Sequence, residues 1–459
     1  MAEQINDRPR DPYILTEDDI KEPPRGLWGT LKHLGPGFVL SAAIVGSGEL
    51  IATTTLGARA GFVTFWVVIL SCLVKVTLQL EFGKHAISTG ETVMTAFNKL
   101  PGWNFRNVNW TIWTWLFIQI FKLLQVGGII GGVAITMNIV FPSVNVTIWT
   151  IIITLTASLL VFRGYYQFVE RLSLLMIAFF TVFTFLSVYF LQYTSYAFSW
   201  HDILYGLEFN LPTAMVGVAI AAFGITGVGG DEIMYYHYWC LEKGYAAYTG
   251  PVVQTPEWLH RAKGWIKVMY WDAVLSMVVY TLVTAAFYIL GAAVLHSQKA
   301  IPEGYKMIET LAGMYTETMG SGAEMVFLIC AVVVLFSTLF SALASWTRIF
   351  SDTFGTLGIF DFYDIEQRRK AIAIFAWVFP IIWALLFLFM QLPVLMIIIG
   401  GFFTSILLLI VVFAAIQFRY VRLDDRLIPG RIYDIAFWLS VSSILLAAIY
   451  GIIKFFINS

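Results

Sequence analysis

Gly46-Ser47-Gly48-Glu49 and Gly227-Val228-Gly229-Gly230-Asp231-Glu232 each interrupt an otherwise apolar stretch long enough to cross a bilayer. Glycine costs about 1 kcal/mol in a helix interior, and a carboxylate at bilayer depth costs several times that unless it faces protein or water. Both penalties fall together at one spot, twice, five hydrophobic segments apart. Paired glycine-interrupted spans in corresponding positions of two halves point to an inverted-repeat transporter with its site at the midplane. An unwound segment frees backbone amides and carbonyls, and the flanking half-helices aim their dipole ends inward. Gly46, Ser47, Gly48, Glu49, Thr226, Gly227, Gly230, Asp231 and Glu232 are therefore the candidate substrate-binding residues.

The rest of the chain agrees with a membrane setting. Of 459 residues, 59% are hydrophobic and 12% charged, against about 25% charged in soluble domains. Residues 376–416 carry no charge at all. A soluble enzyme, a nucleic-acid binder and a disordered scaffold are excluded. A net charge of −1 gives no reason to expect a polyanionic partner. The expected partners are the lipid bilayer and a small substrate.

A window of about 20 apolar residues marks eleven spans, near 31–58, 64–86, 111–141, 145–162, 172–193, 213–240, 266–295, 323–346, 371–390, 393–416 and 433–456. No short segments of strict alternation appear, so the spans read as helices rather than barrel strands. The expected fold is an all-α polytopic membrane protein with a 5+5 inverted repeat and broken helices one and six. Residues 1–26 form a tail, 27–193 and 194–416 the two five-helix repeats, and 417–459 a loop and the eleventh helix. Pro9, Pro12, Pro23 and Pro24 mark the tail as irregular and poorly ordered. With the N-terminus cytoplasmic, 22 of the 28 Lys and Arg residues fall inside and four outside. The positive-inside rule then sets the N-terminus in and the C-terminus out, in a bacterial inner membrane.

Glu49, Asp231 and Glu232 are the candidate metal ligands, since carboxylates and free carbonyls suit a cation. The same breaks can hold an organic substrate's carboxylate with free amides. Each acid also reads as a cap on its half-helix. Lys122 and Gln125 lie in the third span, where a buried lysine is a countercharge or a proton carrier. His237 is either a proton carrier on the pathway or a packed histidine. Asp272 caps a helix, pairs with Lys263 or Lys267, or lines an exit. Lys75 reads as structural. Cys72, Cys240 and Cys330 lie far apart, which suggests no disulfide, thiolate metal site or cofactor.

Several motifs carry a family resemblance. Gly35-Pro36-Gly37, Gly46–Glu49, Gly57-Ala58, Gly61-Phe62, Trp66, Leu78-Gln79 and Thr89-Gly90 together resemble the opening of the natural-resistance-associated macrophage protein (Nramp) family of divalent-metal transporters. Met137–Phe141, Arg163-Gly164, Glu170-Arg171-Leu172 and Asp272 with Thr284-Ala285-Ala286 extend the likeness. It implies the LeuT-type fold of the amino-acid–polyamine–organocation superfamily. The family's Asp-Pro-Gly-Asn falls on Gly46-Ser47-Gly48-Glu49, and its Met-Pro-His on Gly230-Asp231-Glu232. The metal-binding Asp and the thioether are thus absent, and the acidic proton route of helix three becomes Val126 and Ile129.

These departures move the expected ligand preference from soft metals to hard, oxygen-bound cations such as Mg²⁺ or Mn²⁺, moved without proton coupling. The competing reading is an amino acid or other small solute whose carboxylate binds Gly46-Ser47-Gly48. No enzyme is expected. Gly229-Gly230-Asp231 faintly resembles an intramembrane aspartyl protease motif, but Val228 stands where that motif needs glycine.

Overall fold

A computed structural model describes residues 11–46, 48–164, 166–303, 306–320 and 322–458. Among them, nine stretches are long and apolar enough to cross a membrane. Every one of the eleven expected spans is helical. The two counts differ for physical reasons. Val146–Val161 is helical but only 16 residues long. The first span is split, and its second half runs through the 3₁₀ turn Gly61–Thr64 into the second span, so that Gly48–Thr89 reads as one stretch.

Helix ends follow local signals. The Asn109 side chain accepts the Thr111 amide at the start of Trp110–Val140. Thr255 caps Pro256–Leu290, with proline in the first turn where a missing N–H costs nothing. Asp364 accepts the Glu366 and Gln367 amides ahead of Ile365–Met390. Outside the helices, Asn104–Phe105 pairs antiparallel with Val108–Asn109 across a tight turn at Arg106 and Asn107.

Trp110–Val140 is a central post, packed on Pro393–Gln417, Ala323–Thr356 and Ile365–Met390. The half-helix Pro36–Ile44 lies against Gly230–Lys243, Pro256–Leu290 and Ala323–Thr356, while Val216–Ile225 lies on Pro393–Gln417. The two interrupted spans thereby reach the middle of the bundle. Around the outside the chain leaves large apolar side chains uncovered, with Phe389 89% and Leu446 68% exposed. Lipid, not water, suits that surface.

The N-terminal segment departs from expectation. From Asp11 to Arg25 it is packed against one end of the bundle rather than loose. Buried Tyr13 donates to Glu242 Oε1 (2.7 Å), and Arg368 reaches Asp11 Oδ1 (2.8 Å) while covering the Tyr13 ring. The Lys21 amide donates to the Tyr248 carbonyl (3.0 Å), and Trp265 Nε1 donates back to the Lys21 carbonyl (3.0 Å). The prolines make this backbone irregular; its apolar side chains still anchor it.

Candidate functional site

Both spans break where glycine and acid coincide. The first half of span one, Pro36–Ile44, ends short of Gly46, and the chain resumes as a π-helical turn over Gly48–Thr53. Ser47 lies outside the described residues. In span six, Val216–Ile225 ends at Thr226, which is extended, and a helix restarts at Gly230. Gly227 between them has φ +65°, a left-handed conformation that side chains disfavour. At Gly46 the constraint is space, because a Cβ there would run into the Thr338 side chain.

The breaks face each other, and Glu49 joins them. Its buried carboxylate accepts the Gly46 amide (3.3 Å), the Gly227 amide (3.2 Å) and the Thr284 hydroxyl (3.2 Å). One side chain thus satisfies orphan amides from both spans. Thr53 and Thr226 hydroxyls meet at 3.1 Å beside it.

The other pole of the second break is held by a cation. Lys75 Nζ donates to the Phe223 and Thr226 carbonyls, each at 2.6 Å, and Ser71 Oγ donates to the same two oxygens at 2.8 Å. These carbonyls end the half-helix Val216–Ile225, where the dipole is negative. Lys75 is therefore structural, and what it holds is the break itself.

Asp231 and Glu232, neighbours in sequence, have different surroundings. Asp231 accepts from Gln119 Nε2 (2.8 Å) and faces Lys122 Nζ across 2.9 Å, and that ammonium also donates to Thr404 Oγ1 (2.5 Å). Glu232 lines a cavity of about 30 Å³ with Lys122, Gln125, Gly48, Thr338 and Tyr235. Glu232 Oε2 and Gln125 Oε1 are buried there with no hydrogen-bond partner. Ala43 and Ile44 bring the C-terminal end of Pro36–Ile44 to the same lining, and a helix C-terminus favours a cation. Val126 and Ile129 line it too, as apolar surface. Such a volume holds a water or two.

The structure does not gather the three acids into one ligand set. Among the described residues, no three His, Cys, Asp or Glu side chains form a metal-ligating cluster. Two other candidates sit apart from the cavity lining. His237 Nε2 contacts the Glu91 carbonyl (2.6 Å), with His85 alongside. Asp272 caps the start of Pro36–Ile44, accepting the Gly35 amide (2.8 Å), the Gly37 amide (2.5 Å) and the Tyr236 hydroxyl (3.1 Å). Gly230 opens its half-helix against Leu407. Sequence reading passed over Gln119 and Thr404. Gln119 lies about one turn from Lys122 on the third span, which was its available signal, whereas Thr404 stands in a span with no other candidate and carries none.

Helices interrupted at two facing points around a central cavity are the arrangement of the LeuT-type fold. A manganese transporter of Eremococcus coleocola, solved as a mutant, superposes with a TM-score of 0.66 at 14% identity, covering 95% of this chain and 90% of that one. The family follows from sequence. The chain belongs to the natural resistance-associated macrophage protein-like (Nramp) family, whose profile matches residues 37–454. An uncharacterized protein of Pasteurella multocida is 24% identical over 340 residues, 69% of each chain. The divalent metal cation transporter MntH of Clostridium acetobutylicum is 34% identical over 85 residues, 18% of this chain and 20% of that protein.

Proposed function

We propose that this chain moves a hard divalent cation, Mg²⁺ or Mn²⁺, across the membrane by alternating access and without obligatory proton coupling. The observation that carries the proposal is the lining of the central cavity. Its ligand-capable side chains offer oxygen and no sulfur, and the Glu232 and Gln125 oxygens are unpartnered. Oxygen donors suit hard cations, and Mg²⁺ keeps part of its water shell. Family membership and the relatives' divalent-metal and manganese transport point the same way. Val126 and Ile129 in the lining carry no proton, which supports uncoupled movement.

An amino-acid substrate fits this geometry less well. The amides that would bind its carboxylate are those of the breaks, and the Glu49 carboxylate already accepts from Gly46 and Gly227. The two repeats, 27–193 and 194–416, are the moving units in this reading. The inward excess of Lys and Arg supports an N-terminus inside and a C-terminus outside, in a bacterial inner membrane.

Proteoliposome uptake tests the proposal. Mg²⁺ or Mn²⁺ should enter down its own gradient at a rate that an imposed pH gradient leaves within twofold. Uptake of an amino acid with no divalent flux, or divalent flux that requires the pH gradient, would overturn it.

A further inference from the structure

We infer that Lys122 is a tethered counter-ion that masks Asp231 as a second carboxylate ligand for the transported cation; the inference rests on the cation reading above. Lys122 Nζ stands 2.9 Å from Asp231 Oδ2 and lines the same cavity as Glu232. Gln119 donates to the other Asp231 oxygen, while Oδ2 is buried without a hydrogen-bond partner and has the Lys122 ammonium as its ion-pair partner. The ammonium has a second anchor at Thr404 Oγ1, 2.5 Å away. It can give up the carboxylate while keeping a hydrogen bond.

The arrangement answers a problem that any cation carrier meets. Between deliveries it must return empty, with its acids inside a low-dielectric bundle where an unpaired charge is strongly unfavourable. Glu49 is stabilised by two amides and a hydroxyl, and Glu232 shares the cavity lining with the Lys122 ammonium. Asp231 needs a positive charge whenever the cavity is empty, and Lys122 supplies one on a flexible stem. An arriving dication competes with that ammonium. Its affinity is therefore held down, and no second ion from solution is needed for the return.

The test compares purified wild type, Lys122→Met and Lys122→Met/Asp231→Asn by Mg²⁺ titration calorimetry and by thermal unfolding with and without Mg²⁺. Lys122→Met should bind Mg²⁺ at least tenfold more tightly than wild type. Its melting temperature, lowered without metal, should rise further on adding Mg²⁺ than the wild type's does. The double variant should lose both gains. Affinity equal to or weaker than wild type in Lys122→Met, or a double variant as tight as the single, would overturn the inference. If Lys122→Met yields no folded protein even when purified in Mg²⁺, Lys122→Gln takes its place with the same criteria. A wild type that binds neither Mg²⁺ nor Mn²⁺ would instead overturn the cation reading, and this inference with it.

Discussion

The carboxylate of Glu49 accepts the amide of Gly227 at 3.2 Å, so that one side chain on the first span closes a gap in the sixth, 178 residues away. The same carboxylate accepts Gly46 on its own span. Any movement that separates the two breaks must break or exchange these bonds, which places Glu49 at the pivot of the proposed transport cycle.

Glu49→Gln keeps the shape and removes an acceptor. Its NH₂ must then face at least one of the three donors now satisfied, at a cost of about 1–3 kcal/mol for a buried mismatch. The expected result is a lower melting temperature together with at least a tenfold loss of uptake per folded molecule. Uptake at the wild-type rate would reduce Glu49 to a local cap.

Lys75→Met withdraws a donor from the Phe223 and Thr226 carbonyls but leaves Ser71 on both. Destabilisation of about 1–3 kcal/mol is expected, read by denaturant or thermal unfolding. The preference between Mg²⁺ and Cd²⁺ should not change, because Lys75 does not line the central cavity.

Gly227→Ala places a Cβ on a residue with φ +65° and 2.9 Å from the Cys72 Cα. The left-handed conformation alone costs roughly 1–2 kcal/mol. The variant should melt earlier than wild type. Gly217→Ala is the control, since nothing lies within 4 Å of a Cβ there.

Arg368→Ala removes the partner of Asp11 and the cover of the Tyr13 ring. Amide hydrogen exchange over residues 11–25 should quicken, while exchange in Trp110–Val140 stays unchanged. Equal protection in both proteins would show that Arg368 does not hold the segment down.

The breaks were readable from sequence because their signal is a local conflict: glycine and carboxylate in the middle of an apolar run. What joins the breaks was not readable. Nothing in the spacing of Glu49 and Gly227 says that their spans cross at those residues, and either acid of span six fitted a cap or a cavity equally well. Lys75 reads as structural, and the structure agrees, but a lone lysine in an apolar helix carries no information about whose carbonyls it meets. The N-terminal segment was misread for a different reason. Its prolines read as a sign of disorder, whereas Tyr13, whose hydroxyl reaches Glu242 and whose ring lies under Arg368, holds the segment to the bundle.

The central claim is that a hard divalent cation passes through the central cavity in contact with Glu232. The most direct measurement is initial uptake of Mg²⁺, Mn²⁺ and Cd²⁺ into proteoliposomes by wild type and Glu232→Gln, at matched concentrations and normalised to folded protein. The account predicts that wild type favours Mg²⁺ or Mn²⁺ over Cd²⁺, and that Glu232→Gln lowers the favoured flux at least tenfold, a loss of about 1.4 kcal/mol or more. A wild type that favours Cd²⁺, or a Glu232→Gln variant that transports at the wild-type rate, would contradict it.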